Sequence, residues 1–159
     1  MNITVLCVGK VKESFMREAI DEYSKRLSRY VKLQIVEVSD EKTPENASEA
    51  ENNRIINTEG ERILSKIKDS DYVCALAING RMHTSEEFSS YLDLAQIKSK
   101  GNLVFIIGGS LGLSQAVLKR ANDSISFSKM TFPHQLMRVI LLEQIYRAYR
   151  IMNNEPYHK

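Results

Sequence analysis

The run Leu103-Val104-Phe105-Ile106-Ile107-Gly108-Gly109-Ser110-Leu111-Gly112-Leu113-Ser114 decides the fold. Its first five residues are all apolar, as in a strand buried on both faces of a helix-covered parallel sheet. Ser114 then stands where a helix N-cap belongs. A buried strand that stops at paired glycines before a helix brings bare backbone to the carboxyl edge of a sheet. In open α/β folds ligands bind at that edge. Glycine admits positive φ and, lacking a Cβ, lets a flat or charged group approach the main chain. The spacing Gly-Gly-x-x-Gly is neither the dinucleotide Gly-x-Gly-x-x-Gly nor the phosphate-cradling Gly-x-x-x-x-Gly-Lys. A tight turn with no ligand explains it equally well, so its meaning rests on the C-terminal third.

Outward from this strand, apolar runs alternate with amphipathic ones. Strand-like segments are Ile3–Val8, Leu33–Val38, Tyr72–Ile78, Asn102–Ile107 and the short Ser124–Ser128. Helical periodicity covers about 14–30, 47–68, 85–98, 114–122 and 135–152. Thr84-Ser85-Glu86-Glu87 offers a capping box. Strands separated by helices predict an α/β fold, a mainly parallel sheet with helices on both faces. Residues 39–53 are polar and read as a surface loop leading into the second helix. No repeat or linker divides the chain, so residues 1–159 are expected to form one domain.

With 43% hydrophobic and 26% charged residues, the composition is that of an ordinary globular domain. No apolar run approaches the length of a membrane span, and Met1–Gly9 alternates like a strand rather than a signal peptide. Cys7 and Cys74 sit in separate apolar runs without Cys-x-x-Cys spacing, as buried thiols of a cytoplasmic protein do. His83, His134 and His158 show no metal-ligand spacing, and no metal is expected. Residues 1–116 carry 15 Lys+Arg against 17 Asp+Glu, a balance of −2, whereas residues 117–159 carry 7 against 3, a balance of +4. That asymmetry suits a polyanionic partner contacted locally, or a chance fluctuation of the surface.

The last helix is apolar over most of its circumference. Met137, Leu141, Leu142, Ile145, Tyr146, Tyr149 and Met152 fill one arc at about 100° per residue, and Val139, Ile140 and Ile151 lie outside it. Such a helix is expected to pack on its own sheet on one side and on another subunit on the other. Arg138 falls in the middle of the apolar arc, where a guanidinium needs a partner or a ligand.

Three segments converge on one sheet edge in this reading: Leu76–Gly80, the glycine turn at 108–112, and Phe127-Ser128-Lys129-Met130-Thr131-Phe132-Pro133-His134. The third runs from a strand into Pro133, which donates no backbone hydrogen bond and suits a helix start. Backbone groups fixed in such an irregular path can read the edge of an adenine. The chain closes on Pro156-Tyr157-His158-Lys159, either a disordered tail or a set of hydrogen-bond donors beside a site.

Taken together, Ile107-Gly108-Gly109 through Leu113-Ser114, Phe127–Arg138, Glu143-Gln144-Ile145-Tyr146-Arg147-Ala148 and Pro156–Lys159 closely resemble the RlmH family. Those proteins are ribosomal large-subunit pseudouridine N3-methyltransferases of the SPOUT superfamily. The resemblance spans the whole chain and includes Gly9 and Glu59-Gly60-Glu61; Phe127 stands where leucine is expected. It implies a SPOUT-type C-terminal trefoil knot, which no periodicity discloses, and a homodimer, which agrees with the two-sided last helix. It implies that S-adenosylmethionine contacts Leu76, Gly108 and the loop Phe127, Ser128, Lys129, Met130, Thr131 and Phe132. It implies further that the acceptor is N3 of a pseudouridine in 23S rRNA, on the assembled ribosome.

That chemistry needs alignment and removal of the imide proton rather than a metal or a nucleophile. Arg138 is assigned to the imide anion, His134 or His158 to the proton, and Tyr157 with His158 to the acceptor side. A small domain with one modest basic region is expected to recognise a preformed RNA shape. Two alternatives stay open: a SPOUT enzyme acting on a different RNA position, and a non-catalytic ribosome-binding factor that keeps the pocket as a relic.

Overall fold

A computed structural model describes residues 1–159. In chain order the elements are β1 (Asn2–Val8), α1 (Ser14–Leu27), β2 (Lys32–Val38), α2 (Glu49–Leu64) and β3 (Tyr72–Met82). They continue as α3 (Ser85–Lys98), β4 (Asn102–Ile107), α4 (Gln115–Arg120), β5 (Asp123–Ser126) and α5 (His134–Met152). The strands form one sheet in the order β2-β1-β4-β3-β5, and every pairing is parallel.

Alternation along β1 and β4 builds two cores. Ile3, Val5 and Cys7 with Leu103, Phe105 and Ile107 face α1, α3 and α5. Leu6 and Val8 with Val104 and Ile106 face Ile63 of α2 and Val117 of α4. Both faces are therefore covered, as the unbroken apolar runs require. The helices start at side-chain caps where the sequence places them: Ser114 Oγ accepts from the Val117 amide at 3.2 Å, and Thr84 and Glu87 complete a capping box.

β3 differs from expectation. It does not stop at Ile78 but runs to Met82, and both Leu76 and Arg81 pair with Ile125 of β5. The intervening residues bulge outward, and a Cβ on Gly80 would sit 2.5 Å from the Ile125 backbone. The segment Leu76–Gly80 is thus part of an interior strand, between β4 and β5, rather than a loop at its end. α1, α2 and α4 are each shorter than their periodic stretches, because their last turns close as caps or turns.

The alternation of faces also sets where the sheet opens. The chain leaves β1 and β3 towards the face of α1 and α3, but leaves β4 towards the opposite face. The turn after β4 consequently stands at a switch of direction against both neighbours, the position where a crevice forms.

Candidate active site at the carboxyl edge of the sheet

The paired glycines answer to two different neighbours. A Cβ on Gly108 would meet the backbone of Gly112 at 2.9 Å, so this glycine lets the turn close on itself. Gly112 sits at φ +86° and donates to the Gly109 carbonyl at 3.1 Å. A Cβ on Gly109 would instead stand 3.0 Å from Oε1 of Glu59. Positive φ is needed only at Gly112; Gly108 and Gly109 are required by crowding within the protein.

The loop after β5 is anchored at both ends and open between them. Phe127 packs on the larger core and meets Phe88 edge-on at 5.7 Å. Phe132 lines a cavity of about 250 Å³ with Phe127, His83, Phe88, Ile140 and Gln144. The Ser126 hydroxyl donates to the Ser128 carbonyl at 2.9 Å, and the Met130 amide donates to Ser128 Oγ at 3.0 Å. No loop backbone–backbone hydrogen bond involves residues 127–132. Lys129, Met130 and Thr131 are exposed. Apart from the Ser128 carbonyl and the Met130 amide, main-chain groups there bond no other group of the chain. Leu76 is half-buried against the core on the neighbouring strand.

Arg138 finds the partner that its burial demands. At 1% exposure it donates to Glu37 Oε2 at 2.6 Å, to the Gly9 carbonyl at 2.6 Å and to the Val8 carbonyl at 3.3 Å. Only Nε is left without a partner. This ties the first turns of α5 to the ends of β1 and β2. One turn earlier, His134 lies beside Gly9 and Asp40, its Cε1 3.4 Å from where a Gly9 Cβ would be. Burial first and the Arg138 charge second push the His134 pKa below its ordinary value. Its Nδ1 is buried and has no partner within the chain, an unmet hydrogen-bonding group next to the sheet edge.

The C-terminal tail is docked rather than frayed. Tyr157 donates to Glu143 at 3.1 Å and packs edge-on against Tyr146 at 4.9 Å, with Arg147 over its ring. His158 bridges Arg147 through Nδ1 at 3.1 Å and Glu86 through Nε2 at 2.8 Å. Glu155 holds Arg150 and the Tyr30 hydroxyl. At about 1.5 Å of rise per residue, His134 and Arg147 stand roughly 20 Å apart along α5. The four residues assigned to the acceptor therefore divide into two groups, His134 with Arg138 and Tyr157 with His158.

Of the carboxylates that hold these groups, Glu37 and Glu86 escape sequence reasoning, whereas Glu143 stands four residues before Arg147, the spacing of a helical ion pair. The same pairs revise the charge argument. Arg138, Arg147 and Arg150 are paired with Glu37, Glu143 and Glu155, so three of the seven basic side chains after residue 116 are engaged within the chain. The flanks of α5 are also covered within the chain, since α1 and α3 both pack on it.

Comparison with known proteins places this geometry. The family described as predicted SPOUT methyltransferase matches residues 1–158. The chain is 62% identical, over 100% of both sequences, to Ribosomal RNA large subunit methyltransferase H of Clostridium novyi (strain NT). It is 61% identical, again over 100% of both, to the protein of that name from Clostridium tetani (strain Massachusetts / E88). Among solved structures, a probable methylase family protein from Haemophilus influenzae Rd KW20 aligns with a TM-score of 0.54 at 12% identity. That match covers 96% of this chain and 66% of the other, so the chain spans just under two thirds of that protein's length and the likeness is one of fold.

Proposed function

The chain belongs to the SPOUT methyltransferase family, and from that premise we propose that it is a large-subunit rRNA methyltransferase acting on N3 of a pseudouridine in 23S rRNA. Residues 1–159 act as one cytoplasmic enzyme domain on the assembled ribosome, with S-adenosylmethionine as methyl donor. One observation carries the cofactor assignment. The loop 127–132 has anchored ends and backbone groups that, apart from the Ser128 carbonyl and the Met130 amide, bond nothing in the chain. It follows the edge strand β5, with β3 and Leu76 between it and the strand that carries the glycine turn. Such a surface suits the edge and face of an adenine, and Leu76 and Gly108 complete its walls in this reading. The path of the chain supports a C-terminal trefoil knot. After β5 at one edge of the sheet, α5 crosses back to bind the ends of β1 and β2 through Arg138.

When bound, S-adenosylmethionine supplies an activated methyl group. The chain must then hold the acceptor in line and take the N3 proton. His134 fits the proton acceptor, because burial favours its neutral form and its ring stands beside Gly9 at the sheet edge. The N3 proton would pass to the His134 ring as the methyl group leaves the donor's sulfur for N3. Arg138 keeps the Gly9 backbone and the start of α5 in place, and its charge lies next to His134, on the side where the imide anion develops. Tyr157 and His158 stand too far along α5 to join them in one chain. A homodimer that brings the tail of one subunit to the sheet edge of the other reconciles the two groups, and it gives the outer face of α5 a partner.

Mass spectrometry of 23S rRNA nucleosides, from cells with and without the protein, tests the reaction. The methylated pseudouridine should vanish without it; its persistence would refute the assignment. Deleting residues 156–159 should abolish methyl transfer while calorimetric binding of S-adenosylmethionine persists. Mixing that truncated chain with a His134→Ala chain should restore part of the activity if the site is shared between subunits.

A further inference from the structure

The reaction above leaves one buried charged group without a task. Glu59, on α2, is 4% exposed and makes no ion pair. Its Oε2 accepts from the Glu41 amide at 3.0 Å, and no donor of the chain bonds Oε1. Arg62, three residues on, is turned away to Glu41 Oε1 at 2.7 Å and the Ser39 carbonyl at 2.9 Å. Burial raises the Glu59 pKa above its ordinary value, and the neighbouring Asp40 and Glu41 add to the rise against the Glu41 amide and the Arg62 charge. A carboxylate this far withdrawn from water and without an ion pair is costly, so its position needs a reason outside the chain's own bonds.

The geometry supplies one. Both Glu59 oxygens face the glycine turn, at 3.0 and 3.4 Å from where a Cβ of Gly109 would be. A side chain at 109 would shut the carboxylate off, and the glycine leaves it room. We propose that Glu59 Oε1 is the acceptor for the α-ammonium group of the cofactor's methionine moiety, anchoring that end beneath the Gly108-Gly109 turn. This rests on the assignment of the turn to S-adenosylmethionine. Of the two cationic centres in that molecule only the ammonium donates hydrogen bonds. A charge-assisted bond to a desolvated carboxylate is among the stronger polar contacts available. The Glu41 amide meanwhile fixes the other oxygen, so the acceptor is preorganised.

Calorimetry with S-adenosylhomocysteine and its deaminated analogue, in which hydrogen replaces the ammonium, separates this role from a structural one. The wild-type protein should bind the parent compound at least tenfold more tightly, about 1.4 kcal/mol. Glu59→Gln keeps an acceptor for the Glu41 amide and should bind the two compounds with nearly equal affinity. Equal wild-type affinities would overturn the proposal even if the variant fails to fold, and so would a Glu59→Gln protein that preserves the wild-type ratio. If Glu59 served a ribose hydroxyl instead, the variant would weaken both compounds alike, which also overturns it. A wild-type protein that binds neither compound would remove the cofactor assignment itself, a result distinct from equal binding.

Discussion

The two ends of α5 use the same contact, an arginine on carboxylate and carbonyl oxygens, in opposite surroundings. Near the first end, Arg138 is sealed off at 1% exposure and its acceptors come from β1 and β2. At the second, Arg147 and Arg150 share Glu143, Glu155 and the tail at a half-open surface. A buried charge that loses its partners cannot recover them from water, whereas an exposed one can. The first contact therefore fixes the fold at the sheet edge, and the second is a latch that the tail can leave at little cost. An enzyme whose tail must reach an acceptor needs both properties, one at each end of a single helix.

The largest effect should come from the sealed end. Arg138→Met should lower stability in urea unfolding by about 3–5 kcal/mol, since Glu37 and two backbone carbonyls lose their donor together. Adding Glu37→Gln should restore part of that loss, because the two side chains are directly coupled. A cost below about 1 kcal/mol would erase the contrast between the ends. Glu143→Ala should cost far less, about 0.5–1 kcal/mol, while amide exchange at Glu155, Tyr157 and His158 rises sharply.

Acid should separate the ends next. The folded pKa of His134 lies below its unfolded value, chiefly through burial. As pH falls below the ordinary histidine value of about 6.5, the unfolded chain takes up a proton that the folded chain refuses. Stability should decline in that window, and His134→Gln should flatten the decline. The smallest effect belongs to Glu86. Its hydrogen bond to His158 holds its carboxyl below the ordinary value, so its contribution is complete above about pH 4.3. That contribution is lost only as pH falls through the lower folded value. Proton NMR of the tail should show release as pH falls through that range; a tail that stays ordered there would mean that another group controls the latch.

Periodicity was enough to place all five strands, the α/β class and the caps at Thr84 and Ser114, because these depend on neighbours within a few residues. It stopped short where long-range pairing overrides local pattern. Nothing after Ile78 announces that β3 continues to Met82, since its continuation depends on Ile125 pairing twice across a bulge. Arg138 illustrates the limit within the candidate site. Its place in an apolar arc demands a partner, but Glu37 lies 101 positions earlier and is indistinguishable in sequence from any surface glutamate. The apolar surround of α5 was legible too, yet not its division between α1, α3 and an outer face. The tail left two readings open, and its docking depends on Tyr146, Glu143 and Glu86, residues unremarkable until folded together.

The order β2-β1-β4-β3-β5 carries a consequence for the history of each molecule. β4 fills the gap between β1 and β3, so a nascent chain that has emerged only as far as residue 101 has its first and third strands but nothing to join them. Both strands then present unpaired backbone edges and apolar faces to whatever is nearby, and contacts spanning a hundred residues must wait for the rest of the chain. Parallel pairings of such reach form slowly and leave early species prone to association. Synthesis itself is the exposed period for this protein, and a pause in translation just before Asn102 should reduce its yield more than a pause just after Ile107.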